Sequence, residues 1–144
     1  MELGKATVDS PIVFRLDAGS GVPPYLQLVH QVEDASRLGY LREGDRLPRV
    51  KDVVSSLAIN PNTVLKAYRE LEQKGLVEGR PGLGTFAKAG IDVIPMADRS
   101  SLCRKLTRWI SDAYEAGLDD DAIRALIAVA LHQARGGDPS EAAS

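Results

Sequence analysis

Apolar residues recur every three or four positions in several segments of the chain, the spacing that places them on one face of an α-helix. The first such segment opens at Pro23-Pro24, because proline fits the first helical turn, where its missing N–H would have no partner. Gly39 ends this helix. We expect one buried stripe along it, formed by Tyr25, Leu28, Val29, Val32, Ala35 and Ser36.

Two more helices are predicted close together, joined by a tight connection at Ala58-Ile59. The second helix runs from about Val50 to Leu57, and its inner face is formed by Val50, Val53, Val54 and Leu57. The third starts at Asn60-Pro61, since asparagine is a favourable N-cap and proline a favourable first helical residue. Gly75 closes it with a left-handed cap. Its apolar positions are Val64, Ala67, Tyr68 and Leu71.

Short β-prone segments flank these helices. Residues 12–16 form one such run, after a frayed leader of residues 1–11, and Arg46-Leu47 can form a very short strand. Two strands at 76–79 and 85–87 enclose a glycine-rich loop, Arg80-Pro81-Gly82-Leu83-Gly84. The order helix, helix, tight turn, helix, hairpin is that of a winged helix-turn-helix domain.

The C-terminal third predicts a separate helical arm beyond a linker at 89–96 that includes Pro95. One amphipathic helix carries Leu102, Leu106, Trp109, Ile110, Ala113 and Tyr114. Gly117 breaks it, and Asp119-Asp120-Asp121 caps a second helix, whose stripe is Ile123, Leu126, Ile127, Ala130 and Leu131. The short break predicts an αα-hairpin.

The predicted fold class is therefore α+β but mostly α, an N-terminal winged helix-turn-helix with a C-terminal helical hairpin. We expect the winged-helix domain at residues 1–90, the helical arm at 97–135 and a disordered tail at 136–144.

Charge is distributed unevenly along the 144 residues, although the net charge is only −2. Residues 46–88 hold eight Lys or Arg against four Asp or Glu, and the segments on either side are both acidic. A basic middle suits contact with phosphates. The single cysteine, the lack of an apolar signal segment and the lack of any membrane-spanning stretch of ~20 apolar residues predict a cytoplasmic protein.

The third helix is the candidate recognition helix, because the first turn of that helix enters the major groove in helix-turn-helix proteins. Its exposed residues are predicted to be Asn60, Asn62, Thr63 and Lys66. Asparagine can pair with adenine, threonine offers a hydroxyl to phosphate and a methyl to thymine, and Lys66 can bind a base edge or a phosphate. For Asn60 the helix cap alone is an equally good interpretation.

Further DNA contacts are predicted in the segments that precede and follow the recognition helix in the sequence. Arg49 and Lys51 begin the second helix as candidate phosphate clamps, the alternative being solvated surface charges. Arg80, Gly82 and Gly84 form the candidate wing contact, the alternative being a plain hairpin turn. Tyr68 is expected in the core and Arg69 on the surface.

Several spaced blocks resemble the GntR family of bacterial regulators, over roughly residues 22–88. They are Pro-Tyr-Leu-Gln-Leu at 24–28, Gly-Asp-Arg-Leu-Pro at 44–48, the segment 59–72, Gly-Leu-Val at 75–77 and Gly-Leu-Gly-Thr-Phe at 82–86. The Asn-Pro-Asn-Thr-Val form and the short tail are similar to the YtrA-type subfamily. That resemblance implies an N-terminal winged helix and a C-terminal helix pair that mediates dimerisation.

The start of the second helix departs from the family pattern, which usually has Leu-Pro-Ser-x-Arg where this chain has Leu47-Pro48-Arg49-Val50-Lys51. The lost serine cap is worth ~0.5–2 kcal/mol, and Lys51 keeps the charge of the usual arginine without its bidentate fork. Whether Arg49 compensates stays open. Leu65 also stands where the family has an arginine or lysine.

These observations predict a sequence-specific DNA-binding transcription regulator, a repressor acting as a homodimer on a palindromic operator of double-stranded DNA. Two short amphipathic helices cannot bury both stripes against each other, so a second copy is expected to cover them. The predicted dimerisation residues are Leu102, Leu106, Trp109, Ile110, Ile123, Leu126 and Ile127.

Two alternatives stay open: the same fold gated by a small-molecule effector at the helical arm, and a winged helix that binds protein instead of DNA. An enzyme is not expected, since the sequence has no nucleophile cluster, metal-ligand spacing or phosphate loop. His30 and His132 are isolated, so no metal or cofactor is predicted. Cys103 is interpreted as a small packed residue.

Overall fold

The computed structural model describes residues 10–88 and 96–136, which divide into two compact units at Met96–Ala97. A 3-10 turn at Ala18–Ser20 precedes the regular elements. These are α1 (Pro24–Arg37), α2 (Val50–Leu57), α3 (Pro61–Gln73), β1 (Val77–Arg80), β2 (Gly84–Ala87), α4 (Met96–Glu115) and α5 (Asp120–Ala134). The predicted fold class and element order are confirmed. Most of the predicted leader, the linker at 89–95 and the tail at 137–144 lie outside the described residues.

The core of the first unit is the seam between α1 and α3. Leu28, Val29 and Val32 of α1 are fully buried, as are the predicted Val64, Ala67 and Leu71 of α3. Two polar contacts flank this seam: the Lys66 ammonium lies 4.0 Å from the centroid of the Tyr25 ring, and Lys74 Nζ lies 2.7 Å from Glu33 Oε2. The contact further along α1 is also the one further along α3, by the same number of residues, so α1 and α3 run side by side in the same general direction.

The β-prone run at residues 12–16 does not form a strand. It is extended, with Ile12 and Phe14 buried and Val13 and Arg15 exposed. Glutamine side chains of α1 take the place of a neighbouring strand: the Arg15 N–H donates to Gln31 Oε1 at 2.9 Å, and Gln31 Nε2 donates back to the Arg15 carbonyl at 2.6 Å. Gln27 binds Asp17 in the same way. Apolar alternation therefore indicated the burial correctly, but the hydrogen-bond partner is an amide side chain.

The joint between α2 and α3 is as tight as the sequence predicts. Ala58 has a φ of 54°, the left-handed region that favours glycine, and its N–H donates to the Val54 carbonyl. The buried Tyr68 hydroxyl donates to the Pro48 carbonyl at 2.6 Å, which ties the middle of α3 to the residues that begin α2. Burial raises the pKa of Tyr68 above the ordinary tyrosine value.

The hairpin pairs β1 with β2 in antiparallel register from Val77↔Ala87 to Arg80↔Gly84. Both strands are shifted from the prediction, since Leu76 lies outside β1 and the loop ends Arg80 and Gly84 belong to the strands. The predicted strand at Arg46-Leu47 is reduced to one bridge, between Arg46 and Phe86. Val77 and Ala87 are buried in the core, so this face of the hairpin covers the helices.

The C-terminal unit is the predicted helical hairpin. Its break lies at Gly117, which has a φ of 98°, and the Asp119 side chain caps α5 by accepting the Ala122 N–H at 2.9 Å. Ala113 and Ile123 are buried near the break. Most of the two predicted stripes stays exposed, and Cys103 is exposed too, so its interpretation as a packed residue is wrong.

No helix within residues 10–88 and 96–136 is both long enough and apolar enough to cross a bilayer.

Tyr68→Phe tests the link between α3 and α2. Removing the hydroxyl leaves the Pro48 carbonyl without its donor, so we expect the free energy of unfolding at pH 7 to fall by about 1 kcal/mol. Above about pH 10 the unfolded chain ionises this tyrosine while the folded chain keeps it neutral, so the wild-type stability falls by up to ~1.4 kcal/mol per pH unit.

The phenylalanine variant has no hydroxyl to ionise at position 68, so its stability lacks this pH dependence. The difference in free energy of unfolding between the two proteins should therefore shrink as the pH rises. Urea unfolding at a series of pH values measures it. Parallel curves for the two proteins between about pH 9 and 11 would show that Tyr68 does not resist ionisation.

Candidate nucleic-acid interface

The first turn of α3 is fixed to the protein on one side and open to solvent on the other. The buried face of the whole helix is formed by Val64, Ala67, Tyr68 and Leu71. At the start of the helix, Asn60, Pro61 and Asn62 are exposed and Thr63 is half-buried. Because a helix turns by about 100° per residue, anchoring one face determines the direction of the other. The predicted recognition residues Asn62 and Thr63 are therefore accessible at the end of a rigid helix.

Asn60 serves as the N-cap of α3. Its Oδ1 accepts the Asn62 N–H at 2.8 Å, which satisfies one of the backbone donors that a helix start leaves unpaired. The cap interpretation of Asn60 is confirmed, and only its amide NH₂ is left to donate to another group.

Lys66 lies one turn after Asn62 and is exposed, with its ammonium 4.0 Å from the centroid of the Tyr25 ring. Such a contact is worth ~0.5–1 kcal/mol at an exposed site and restricts the flexible lysine side chain. Tyr25 was predicted only as part of the buried stripe of α1. It is half-buried, and its accessible ring face supports Lys66.

The start of α2 lies beside the hairpin loop. Arg49 occupies the N-cap position without a side-chain cap bond, as expected from the missing serine, and Lys51 is exposed two residues later. An open groove of about 580 Å³ separates Arg49 from the hairpin; it is lined by Arg49, Gly79, Arg80, Pro81, Gly82, Leu83, Gly84 and Thr85. The fold thus brings together Arg49, Arg80, Gly82 and Gly84, which the sequence suggested separately.

The wing is a tight turn in which glycine is required. The Leu83 N–H donates to the Arg80 carbonyl at 2.9 Å, and Gly82 has a φ of 76° after Pro81, the combination found in type II turns. Gly84 also has a positive φ of 129°. The turn geometry thus accounts for both glycines, and any role for them in binding would be additional.

Arg80 already has partners in the unbound protein. Its Nε donates to Glu78 Oε2 at 2.9 Å, and its guanidinium carbon lies 4.3 Å from the centroid of the Phe86 ring. Arg46 shares that ring, with its guanidinium carbon 5.3 Å from the same centroid. The sequence places Arg46 in a short strand and in the basic middle segment but does not link it to the wing, because its nearness to Phe86 depends on the register of a single bridge.

The site residues supply cations, amides and a hydroxyl, the groups that bind phosphates and base edges. Within the two described stretches, no group of three or more His, Cys, Asp or Glu is arranged to hold a metal ion.

Comparison with known proteins identifies the same region. The sequence profile described as "Bacterial regulatory proteins, gntR family" matches residues 24–87. The chain is 28% identical to the HTH-type transcriptional repressor YtrA of Bacillus subtilis over 130 residues, which is 90% of this chain and 100% of that protein. It is 34% identical to the uncharacterized HTH-type transcriptional regulator YhcF of the same organism over 95 residues, covering 66% of this chain and 74% of YhcF.

A solved structure has the same fold. YtrA from Sulfolobus acidocaldarius, a GntR-family transcription factor, superposes with a TM-score of 0.51 at 26% identity, covering 69% of this chain and 99% of that one.

Asn60→Ala and Asn60→Ser separate the cap from any contact with a base. Alanine removes the acceptor of the Asn62 N–H, so we expect the free energy of unfolding to fall by about 1 kcal/mol, whereas serine restores an acceptor and should keep nearly all the stability. Urea unfolding of the three proteins measures the effect. Equal stability of the alanine variant and the wild type would mean that the cap contributes nothing.

Proposed function

This chain belongs to the GntR family of bacterial regulatory proteins, a DNA-binding transcription regulator, and we propose that it is a repressor that binds an inverted-repeat operator as a homodimer. The observation that carries the DNA-binding role is the exposed, capped first turn of α3, and the groove lined by Arg49 and the wing supports it. The name of the B. subtilis relative supports a repressor, since this chain matches that protein over its full length. We assign it to the cytoplasm, where it would meet DNA.

The proposed contacts divide into those that recognise sequence and those that hold the backbone. Asn62 and Thr63 face base edges in the major groove, and Lys66 reaches a base or the adjacent phosphate. Arg49 and Lys51 bind phosphates, and the backbone N–H groups at Gly82 and Gly84 approach the DNA with Arg80 from the other wall of the groove that Arg49 lines. Asn60 contributes mainly by capping the helix that carries the sequence-reading residues.

The proposed homodimer rests on the exposed apolar surface of the C-terminal unit. Leu102 is 56% exposed, Leu106 50% and Leu126 45%, and Trp109 and Val129 are exposed too. A cleft of about 360 Å³ between α4 and α5 is lined entirely by apolar residues: Leu106, Trp109, Leu126, Ile127, Ala130, Leu131 and Ala134. Contiguous apolar surface of this kind usually marks an interaction site, and a second copy of the arm is the occupant that would also pair two DNA-binding units symmetrically.

Ile123 is the exception among the seven residues predicted to mediate dimerisation. It is only 5% exposed in the single chain, so it stabilises the helical hairpin itself. The proposed interface keeps Leu102, Leu106, Trp109, Ile110, Leu126 and Ile127.

Selection of genomic fragments with purified protein tests the DNA target. We expect the bound fragments to share an inverted repeat, and Lys66→Ala to bind that repeat more weakly with a slope of log affinity against log salt that is lower by about one, if its contact is a phosphate. Arg37→Ala is the matched control, since it removes one exposed cation at the opposite end of α1 from Tyr25. A protein that retains no fragment even at low salt would favour the protein-binding alternative.

Leu126→Glu tests the dimer. A charge in the apolar cleft should give a monomer in sedimentation experiments and weaken operator binding by about 100-fold or more, because the second half-site no longer binds intramolecularly. Ala125→Glu is the control, since Ala125 is an exposed neighbour that does not line the cleft. A Leu126→Glu protein that stays dimeric would exclude this surface as the interface.

A further inference from the structure

The outer face of the wing carries a cluster that sequence reasoning did not identify. Phe86 pairs with Glu78 on one side and with Arg46 on the other, and Arg80 lies opposite Gly84 two residues further along β1. Because side chains alternate along a strand, these residues share one face of the hairpin, and Val77 and Ala87 point from the other face into the core.

Phe86 is buried although it lies outside the core cluster. Two arginines help to cover it: the guanidinium carbons of Arg80 and Arg46 lie 4.3 and 5.3 Å from its ring centroid, both within the range of a cation–π contact. Glycine is favoured at position 84 by its positive φ of 129° rather than by lack of space, since a Cβ there would make only ordinary contacts, 3.8 Å from Arg46 Nε and 3.9 Å from Phe86 Cε1. One aromatic ring therefore holds two planar cations together.

The charges of this cluster do not balance. Glu78 pairs with Arg80 through a contact of 2.9 Å, with both side chains close to half exposed. Arg46 has no carboxylate partner within the described residues 10–88 and 96–136. Arg49 lies across the groove from Arg80 and adds a further positive charge. Arg46 and Arg80 thus exceed the single carboxylate of Glu78 by one positive charge, and Arg49 across the groove raises the excess to two.

We propose that Phe86 holds Arg46 and Arg80 as a paired clamp for a phosphate of the DNA backbone, and that this phosphate displaces Glu78 from Arg80. The inference rests on the proposed DNA-binding role and adds Arg46 as a contact, Phe86 as a positioning residue and Glu78 as a competitor. Guanidinium groups suit this task because they bind phosphate oxygens through two parallel N–H donors and stack on aromatic rings at the same time. Displacing Glu78 is easy, because an exposed ion pair is weak.

Salt-dependent binding of a labelled duplex, either mixed-sequence or carrying the selected repeat, tests the clamp. Arg46→Gln should bind about tenfold more weakly and lower the slope of log affinity against log salt by about one. Glu78→Gln should bind roughly two- to fivefold more tightly, because the phosphate no longer competes with a carboxylate. Arg37→Gln, which removes a cation at the far end of α1, should change neither quantity beyond the general charge effect.

Phe86→Leu and Phe86→Tyr test the positioning role. Leucine keeps an apolar side chain but removes the aromatic face, so adding Arg46→Gln to Phe86→Leu should weaken binding by much less than it does in the wild type. Tyrosine keeps the aromatic ring, so in the Phe86→Tyr variant Arg46→Gln should weaken DNA binding as much as it does in the wild type. Arg46→Lys retains the charge without the planar fork and should bind with intermediate affinity. Thermal unfolding of each variant identifies any that no longer folds.

The outcomes distinguish this inference from the function on which it rests. If the wild type binds DNA and Lys66→Ala weakens it, but Arg46→Gln binds like the wild type with the same salt slope, the clamp is wrong and the DNA-binding role stands. If the wild type ignores every duplex at low salt, the DNA-binding role itself fails.

Discussion

The packing of α1 against α3 is the constraint on which the rest of the first unit depends. Leu28, Val29 and Val32 lose all contact with water there, as do their partners on α3, and burial of each leucine or valine side chain contributes ~1.5–3 kcal/mol. Once this face is buried, the first turn of α3 can only point outward. The same seam supports the chain before α1, because Gln27 and Gln31 extend from α1 to hold residues 15–17. Stability and the presentation of Asn62 and Thr63 thus have one physical origin.

The local signals in the sequence were sufficient to predict α3 correctly. Asn60, Pro61, the four apolar positions and Gly75 all indicate the same helix, and the structure has each of them in the expected role. The segment at 12–16 is harder to predict, because Arg15 binds the side chain of Gln31, 16 residues away, and no periodicity identifies that partner. The cluster around Phe86 was missed for a related reason: the position of Arg46 depends on a single bridge whose register a sequence does not reveal.

The start of α2 illustrates a conflict between local stability and charge. A serine before this helix would satisfy one of its free N–H groups, and Arg49 instead places a positive charge at the positive end of the helix dipole. Arg49 lines the groove opposite the wing, where the proposed DNA-binding role would use its charge. Tyr68 compensates in part by binding the carbonyl of Pro48 and fixing the residue before Arg49.

The left-handed conformation of Ala58 has a consequence for how this protein can change in evolution. An alanine in that region costs ~1–2 kcal/mol relative to the ordinary helical region. Glycine or asparagine could replace it with little strain, whereas a β-branched residue would force the chain to reorient. Since Ala58 joins the helix capped by Arg49 to the helix that carries Asn62, substitution at this one position would alter the spacing between two groups of proposed DNA contacts. The exposed residues of α3 can therefore vary without strain in the backbone, whereas only a few amino acids are compatible with the joint that sets the direction of this helix.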